Sequence, residues 1–542
     1  MTLQVVLFLC SNLSAANTVN WFKSFGSSCW DDVRDIYYSA PDGKILITGY
    51  LSFRTALNSI VCDSPPGLLL CKLNLNGDQI WYKHEGMTDV FGQSITMDTD
   101  GNFYVAGDFS RTAIFAKDTI KTNNPYTMMN RFLIKYNSNE EILWVRKQGS
   151  NRSMYGWGPI IVPNRNIYIV CSYGDTLFLE GKKITPLPND AAEQIIEYSP
   201  DGQVIQSKAL SYYISGIQAV GSNIFICGSL SKSGMLDKYY NIPNGLSMMF
   251  VASVNLTTLT PTVLFSMYGN TYDFISTFLV KDNNIFVAGS FTDSLDINNY
   301  GTITTNVLYK KFFINLDKTG NIIWVKLPDT CTSRNLYEYL PKTNSIAVDK
   351  NNNVYFAGSY EGYMKFGPYS LSQIPGEKNG TDIFVVGFNS IGQPITAFGM
   401  DGPGEDNCTK IILTNDTTMY IAGSFSDTIT SGAQKFVGDP DKTDGFVASI
   451  GFSLPSAKGL DSKLPIRKKP FITFVNGRLL CVQNGNEMLS GTFVISDLSG
   501  KTIFNSFELC KNEYIDMKQY ASGIYFLHSE NFNGNAIRFL LQ

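Results

Sequence analysis

Four aspartates stand at matched places along this chain. Asp32, Asp89, Asp273 and Asp406 each lie at the entry to a strand-like run. Carboxylates gathered at one mouth can bind a cation, or divide into the acid and base of a glycosidase, whose two carboxyl groups flank the bond that breaks. Each can equally cap backbone N–H groups and fix a corner. Aromatic residues in loop-like stretches offer flat faces on which sugars stack or peptides pack, or cores for the loops themselves. These are Trp30, Tyr155, Trp157, Tyr239, Tyr240, Tyr363 and Tyr369.

Other chemistry is sparse. The chain has 2 histidines, His84 and His528. It carries no G-x-S-x-G, H-E-x-x-H or phosphate loop. "DTDGN" (98–102) begins like a calcium loop but lacks the later acid at EF-hand spacing. The 10 cysteines include no C-x-x-C pair, so no zinc site is read, and no cofactor is expected. Cys71, Cys171 and Cys227 sit in strand-like runs as small buried hydrophobes. Cys481 and Cys510 fall together near the end and would pair in an oxidising compartment. A net charge of −4 on 542 residues gives no basic footprint for nucleic acid. No later run reaches the roughly 18 apolar residues that a membrane span needs. The sequence thus reads as a non-enzymatic binding or scaffold protein for a polysaccharide or protein ligand. The alternative is a secreted carbohydrate-active hydrolase or lyase that uses the four aspartates.

The elements that must position these residues repeat. "YVAGDFS" (104–110) returns as "FICGSLS" (225–231), "FVAGSFT" (286–292), "YFAGSYE" (355–361) and "YIAGSFS" (420–426). Equivalent units centre on Gly49, Gly107, Cys171, Gly228, Gly289, Gly358 and Gly423, about every sixty residues, room for four short strands. Asp-Gly and related turns, such as "PDGK" (41–44), "TDGN" (99–102) and "LNGD" (75–78), supply the positive φ of tight hairpins. The expected fold is all-β, a seven-bladed β-propeller over 17–452. The Ala-Gly pair is expected to let a neighbouring blade approach. "NWFKSFG" (20–26) reads as a fourth strand placed before the first unit, while the last unit stops after its third, "DGFVASIGF" (444–452). The N-terminal strand should therefore complete the seventh blade and close the ring. Aromatic anchors, Trp81, Trp144 and Trp324 among them, mark the fourth strands. The long variable loops (53–66, 111–129, 232–247, 293–309, 361–381) share one face, the expected binding surface.

The pattern "D..GN.Y.AG.F" followed by a hairpin resembles the bacterial SBBP-type β-propeller repeats. It is clear in units two, five, six and seven and degenerate in three and four. A Pro-, Ser- and Lys-rich linker follows (453–470), then a strand-rich segment (471–542) expected to form a small Ig-like β-sandwich. Its order, "ISDLSGKTI", "YIDMKQYASGIYF" and a closing strand with Arg538, resembles the C-terminal sorting domain of type IX secretion in Bacteroidetes. That resemblance implies a partner in the type IX secretion machinery, with Gly500, Gly523 and Arg538 as recognition residues. It also implies delivery through the periplasm to the outer surface or the medium. Residues 1–16, an apolar core followed by Ser14-Ala15-Ala16, read as a cleaved signal peptide.

Overall fold

The computed structural model describes residues 18–451 apart from 27–29, 53–54, 58–59, 63–66, 86–88, 125–128, 153, 162–164, 175, 186–191, 211, 232–245, 271–272, 333–342, 374–379 and 416. Beyond these it describes the strands Phe471–Val475, Arg478–Gln483, Glu487–Met488, Gly491–Asp497, Thr502–Leu509, Ile515–Asp516, Gly523–Ser529 and Ile537–Leu541. The signal segment 1–16, the linker 453–470, Tyr239, Tyr240, Gly500 and Cys510 lie outside the described residues. Every regular element that is described is a β-strand. No helix among them is long and apolar enough to cross a membrane. The chain divides into two compact units, Met1–Pro455 and Ser456–Gln542.

The first unit is a succession of antiparallel sheets built from strands consecutive in sequence. Asp32–Ser39, Lys44–Leu51, Gly67–Asn74 and Gln79–Glu85 form the first. Val90–Met97, Phe103–Phe109, Asn130–Tyr136 and Ile142–Ser150 form the second, and Tyr155–Ile161, Ile167–Tyr173, Ala192–Tyr198 and Val204–Leu210 the third. The later sheets open with Tyr213–Val220, Phe274–Lys281, Thr343–Val348 and Asn407–Asn415. Each opening strand packs on the next, and Asn407–Asn415 packs back on Asp32–Ser39, so the first strands close a ring. That is the arrangement of a β-propeller. Buried clusters fill the interfaces between successive sheets; one unites Phe286, Phe313, Trp324, Phe356 and Phe384 from the fifth and sixth.

Ring closure follows the expected route. Thr18–Gly26 pairs antiparallel with Thr443–Gly451 as the fourth strand of the last sheet. Trp21 shows that this strand is a true fourth strand. Its indole Nε1 donates to Leu75 O at 2.9 Å, as Trp144 donates to Pro200 O at 3.1 Å and Trp324 to Ser390 O at 3.2 Å. In each case an outer-strand tryptophan bolts one sheet to the turn between the third and fourth strands of the next. Each ring lies over the turn's glycine, Gly77, Gly202 or Gly392, where a Cβ would meet ring carbons within 3.0 Å.

The repeated glycine has a different cause from the one expected. A Cβ on Gly107 would lie 2.0 Å from Phe91 O, and one on Gly423 1.8 Å from Asn407 O. The close neighbour is the first strand of the same sheet, which bulges there (between Gly92 and Ser94, and between Cys408 and Lys410), and not the adjacent sheet. Cys171 replaces the glycine in the third sheet because the glycine has moved across the ladder. Its partner is Gly156, whose Cβ would lie 2.0 Å from Val170 O.

Several of the long loops fold into hairpins. Thr55–Leu57, Leu177–Leu179 and Ser294–Ile297 each pair with the outer strand of the preceding sheet, Thr18–Gly26, Ile142–Ser150 and Thr260–Gly269 respectively. They cover edges that would otherwise stay open. In the second unit, Gly491–Asp497 lies between Thr502–Leu509 and Gly523–Ser529, and Ile537–Leu541 pairs with Gly523–Ser529. Gly523 thus opens a central strand, and Arg538 pairs with Phe526 on the edge strand.

Candidate functional site: the axial cavity

The ring of first strands encloses an open cavity of about 800 Å³. Consecutive residues of the first strands line it, because the free edge of each strand faces the axis. The wall mixes apolar side chains such as Ile217, Phe278 and Val348 with hydroxyls, including Ser94, Ser215, Ser276, Ser345 and Thr409. These hydroxyls also tie the wall together. Thr409 donates to Val33 O at 2.8 Å, Ser94 to Asp35 Oδ2 at 3.0 Å, and Ser345 accepts from the Ile411 amide at 3.0 Å.

Charged groups are confined to part of the circumference. Asp35 accepts from Ser94 and from the Ile95 amide, and Lys410 Nζ lies 3.5 Å from its Oδ1. Arg34 stacks over Phe91 at 5.0 Å and pairs with Asp32 at 2.8 Å. Deeper in the wall, Asp108 accepts from Arg131 Nη1 at 3.0 Å and from Gln93 Nε2 at 2.7 Å. Burial raises the Asp108 carboxyl above its ordinary value, against the Arg131 charge and the Gln93 amide. Arg131 is 1% exposed, and its Nε and Nη2 make no hydrogen bond. Across from it, burial pushes Glu193 up to about 8, although the Ser172 hydroxyl, the Ile214 amide and the Arg131 charge hold the rise back. Glu193 is therefore largely protonated at neutral pH. Among the described residues no group of three or more His, Cys, Asp or Glu is arranged to hold a metal ion.

These charges are departures from the repeat. At the same register of the second and third strands the sheets pair Tyr50 with Leu68, Ser229 with Met249, Ser359 with Ile383 and Ser424 with Gly445. The second sheet pairs Asp108 with Arg131, and the third pairs Ser172 with Glu193. The sequence reading passed over both. Aligning the units strand by strand exposes them, as charge where three of the other units carry Leu, Met or Ile. The fifth sheet departs too, with Lys311, which is buried over the Phe384 ring and pushed down to about 7 by burial, beside Cys331 and Glu361. It lines a separate small space of about 20 Å³.

The four aspartates do not meet at this cavity. Asp273 accepts from the Thr292 amide at 2.8 Å, the Thr292 hydroxyl at 2.9 Å and the Asn270 amide at 2.8 Å. Asp89 accepts from the Ser110 hydroxyl at 2.9 Å. Asp406 is fully buried; burial, Asp382 and Asp401 raise its carboxyl, and the Ser426 amide opposes them. In the first sheet this place belongs to Asp31, which accepts from the Ser52 amide at 2.7 Å and hydroxyl at 3.1 Å. Asp32, one residue on, pairs instead with Arg34. Each clasp ties the entry of a first strand to the residue at the end of the second.

Of the aromatic candidates, Trp30 is exposed at 58%, with Lys442 Nζ 5.6 Å from a ring centre. Tyr363 is half-buried on a hairpin, its amide donating to Thr332 Oγ1 at 2.9 Å, and Tyr369 donates its hydroxyl to Ile395 O at 2.6 Å. Tyr155 and Trp157 lie on the first strand of the third sheet, and their side chains are outside the described residues. His84 is half-buried on an outer strand, and burial lowers its pKa. Burial pushes the Cys171 and Cys227 thiols up to about 12, so both are inert at neutral pH.

No protein-family model matches the chain, and no curated protein matches it. Solved structures similar to it include BamB from Moraxella catarrhalis (11% identity, 79% of this chain and 100% of that one, TM-score 0.31). Another is the AfRom2 CNH domain (10% identity, 81% and 99%, TM-score 0.38). A member of the duf4221 family from Bacteroides vulgatus is a third (11% identity, 82% and 100%, TM-score 0.36).

Proposed function

We propose that this chain is an exported seven-bladed β-propeller of the SBBP-repeat type that works as a binding module. Its ligand is a segment of a polysaccharide or protein that enters the axial cavity. The observation that carries this reading is the cavity itself: about 800 Å³ lined by apolar side chains and hydroxyls, with paired charges on one side. Cavities of this size that converge a few polar groups are the usual places for ligands. The segment 471–542 serves as an Ig-like sorting domain for type IX secretion, recognised through Gly500, Gly523 and Arg538, and the passenger acts at the outer surface or in the medium. The strand pairing of Gly491–Asp497 with its two neighbours and the closing Ile537–Leu541 supports a sandwich sheet there.

A second reading, a secreted carbohydrate-active hydrolase or lyase, is favoured by Glu193. A carboxyl that keeps its proton to about pH 8 has the ionisation that a general acid needs. One experiment separates the two. The full-length protein is exposed to a panel of polysaccharides and envelope proteins, recording both retention and released product. Retention without product supports the binding module, product supports the enzyme, and the absence of both for folded protein overturns each.

A further inference from the structure

The axial cavity is not symmetric. Among the described residues nearly all of its wall comes from the seven first strands, but four reach it from second and third strands: Asp108, Arg131, Ser172 and Glu193. All four are polar, and all four belong to the second and third sheets. Among the described residues, Gly156 and Gly158 of the third sheet's first strand line the cavity beside them. Gly156 is there because its Cβ would strike Val170 O, and Gly158 takes a positive φ of 96°. Asp108, Arg131, Ser172 and Glu193 thus form a polar recess of the cavity beside glycine backbone.

Within that recess the hydrogen-bond demand is unmet. A guanidinium carries five N–H donors in a planar fork. Arg131 spends Nη1 on Asp108, while Nε and Nη2, the edge that grips a carboxylate with two parallel bonds, have no partner. Leaving charged donors buried and unpaired is costly, and an acceptor from a ligand removes the cost. Arg131 thus pairs with Asp108 through Nη1, and its other edge matches a carboxylate by two parallel hydrogen bonds. The hydroxyls and apolar side chains beyond it suit a sugar ring, which presents both O–H groups and C–H faces.

We infer that this recess binds the carboxylate of an acidic saccharide, a hexuronate residue, through the Nε and Nη2 edge of Arg131, with the sugar hydroxyls lying against the serines and threonines of the wall. The inference rests on the binding reading above and gives that ligand its chemical class. Departure from the repeat supports it independently. Three of the other sheets carry Leu68, Met249 and Ile383 where Arg131 stands, so the fold itself does not ask for an arginine there.

The repeat also supplies the test. Asp108→Ser combined with Arg131→Met gives the second sheet the Ser-Met pair already present as Ser229 and Met249. Replacing a buried ion pair by residues that pack is often neutral or stabilising, so the double variant should melt at or above the parent temperature. Binding to the full-length parent and variant is measured by calorimetry with oligouronates of several sugar configurations, their methyl esters, and inorganic phosphate. The parent is expected to bind at least one oligouronate at least tenfold more tightly than its ester and not to bind phosphate. The folded variant is expected to lose that preference. Esters and acids binding alike, or a variant that keeps the preference, overturns the recess while leaving a binding cavity in place. Phosphate binding as tightly as the acids overturns the choice of a carboxylate. Folded parent that binds no saccharide, acidic or esterified, overturns the saccharide ligand altogether.

Discussion

Asp31 holds Ser52 twice: its Oδ1 accepts from the Ser52 amide at 2.7 Å and from the Ser52 hydroxyl at 3.1 Å, tying the entry of the first sheet to the end of its second strand. Asp273 repeats the clasp on Thr292 and Asp89 repeats its hydroxyl arm on Ser110. An acidic residue at the mouth of a propeller can thus be a corner brace. Asp31→Ala leaves a buried amide without its acceptor and should cost about 1–3 kcal/mol. Thermal unfolding followed by circular dichroism reads this directly, and saccharide binding should be retained. Loss of binding with unchanged melting would assign the clasp to the ligand instead.

Asp401 makes stability fall as pH rises. Burial pushes its carboxyl from 3.8 up to about 6, partly offset by the Tyr360 hydroxyl, which donates to it at 3.3 Å. The folded chain then holds this proton more tightly than the unfolded one. The resulting stabilisation is whole below pH 3.8 and is lost as pH rises through about 6. Asp401→Asn cannot ionise. The melting temperature of the variant, taken relative to the parent, should therefore climb between pH 4 and pH 8. A difference that stays level across that range would refute the assignment.

Gly156 and Cys171 should be coupled. Gly156→Val puts a Cβ where Val170 O lies at 2.0 Å and is expected to cost several kcal/mol. Adding Cys171→Gly recreates the arrangement of the first sheet, where Val33 faces Gly49, and should restore part of the loss. A double-mutant cycle in urea measures the coupling, and additive costs would show that the glycine has not simply changed strands.

Phe22 fixes the closing strand. It stacks on Phe436 at 4.1 Å and on Phe446 at 5.2 Å, and it is almost wholly buried. Phe22→Ala should destabilise by about 3–5 kcal/mol. Hydrogen exchange should then quicken in Thr443–Gly451 before it quickens in the second sheet. Uniform quickening would mean that the ring opens elsewhere first.

Much of the architecture was legible because it rests on local signals. Alternating strands, Asp-Gly turns and outer-strand tryptophans each have a fixed physical meaning, and the misplaced strand at 20–26 announced closure by falling one element short at the other end. The register was less legible. Asp31 and Asp32 are adjacent and identical in kind, and only the geometry of Ser52 shows which one braces the corner. The hairpins were read as loops because strands of three or four residues carry too short a pattern. The recess was invisible for another reason. Asp108, Arg131, Ser172 and Glu193 span two units, and only the packing of one sheet on the next brings them to one cavity. Their signal, charge in place of a repeated aliphatic, needs the strand register before it can be seen.

The pairing of Thr18–Gly26 with Thr443–Gly451 also orders events in time. Asn20 reaches Ser449 across 429 residues of chain. The opening strand is made first and must wait for nearly the whole propeller before its partner exists. Until then the seventh sheet has a raw edge and the ring stands ajar, so contacts that distant make assembly slow and leave the half-built chain prone to stick to its copies.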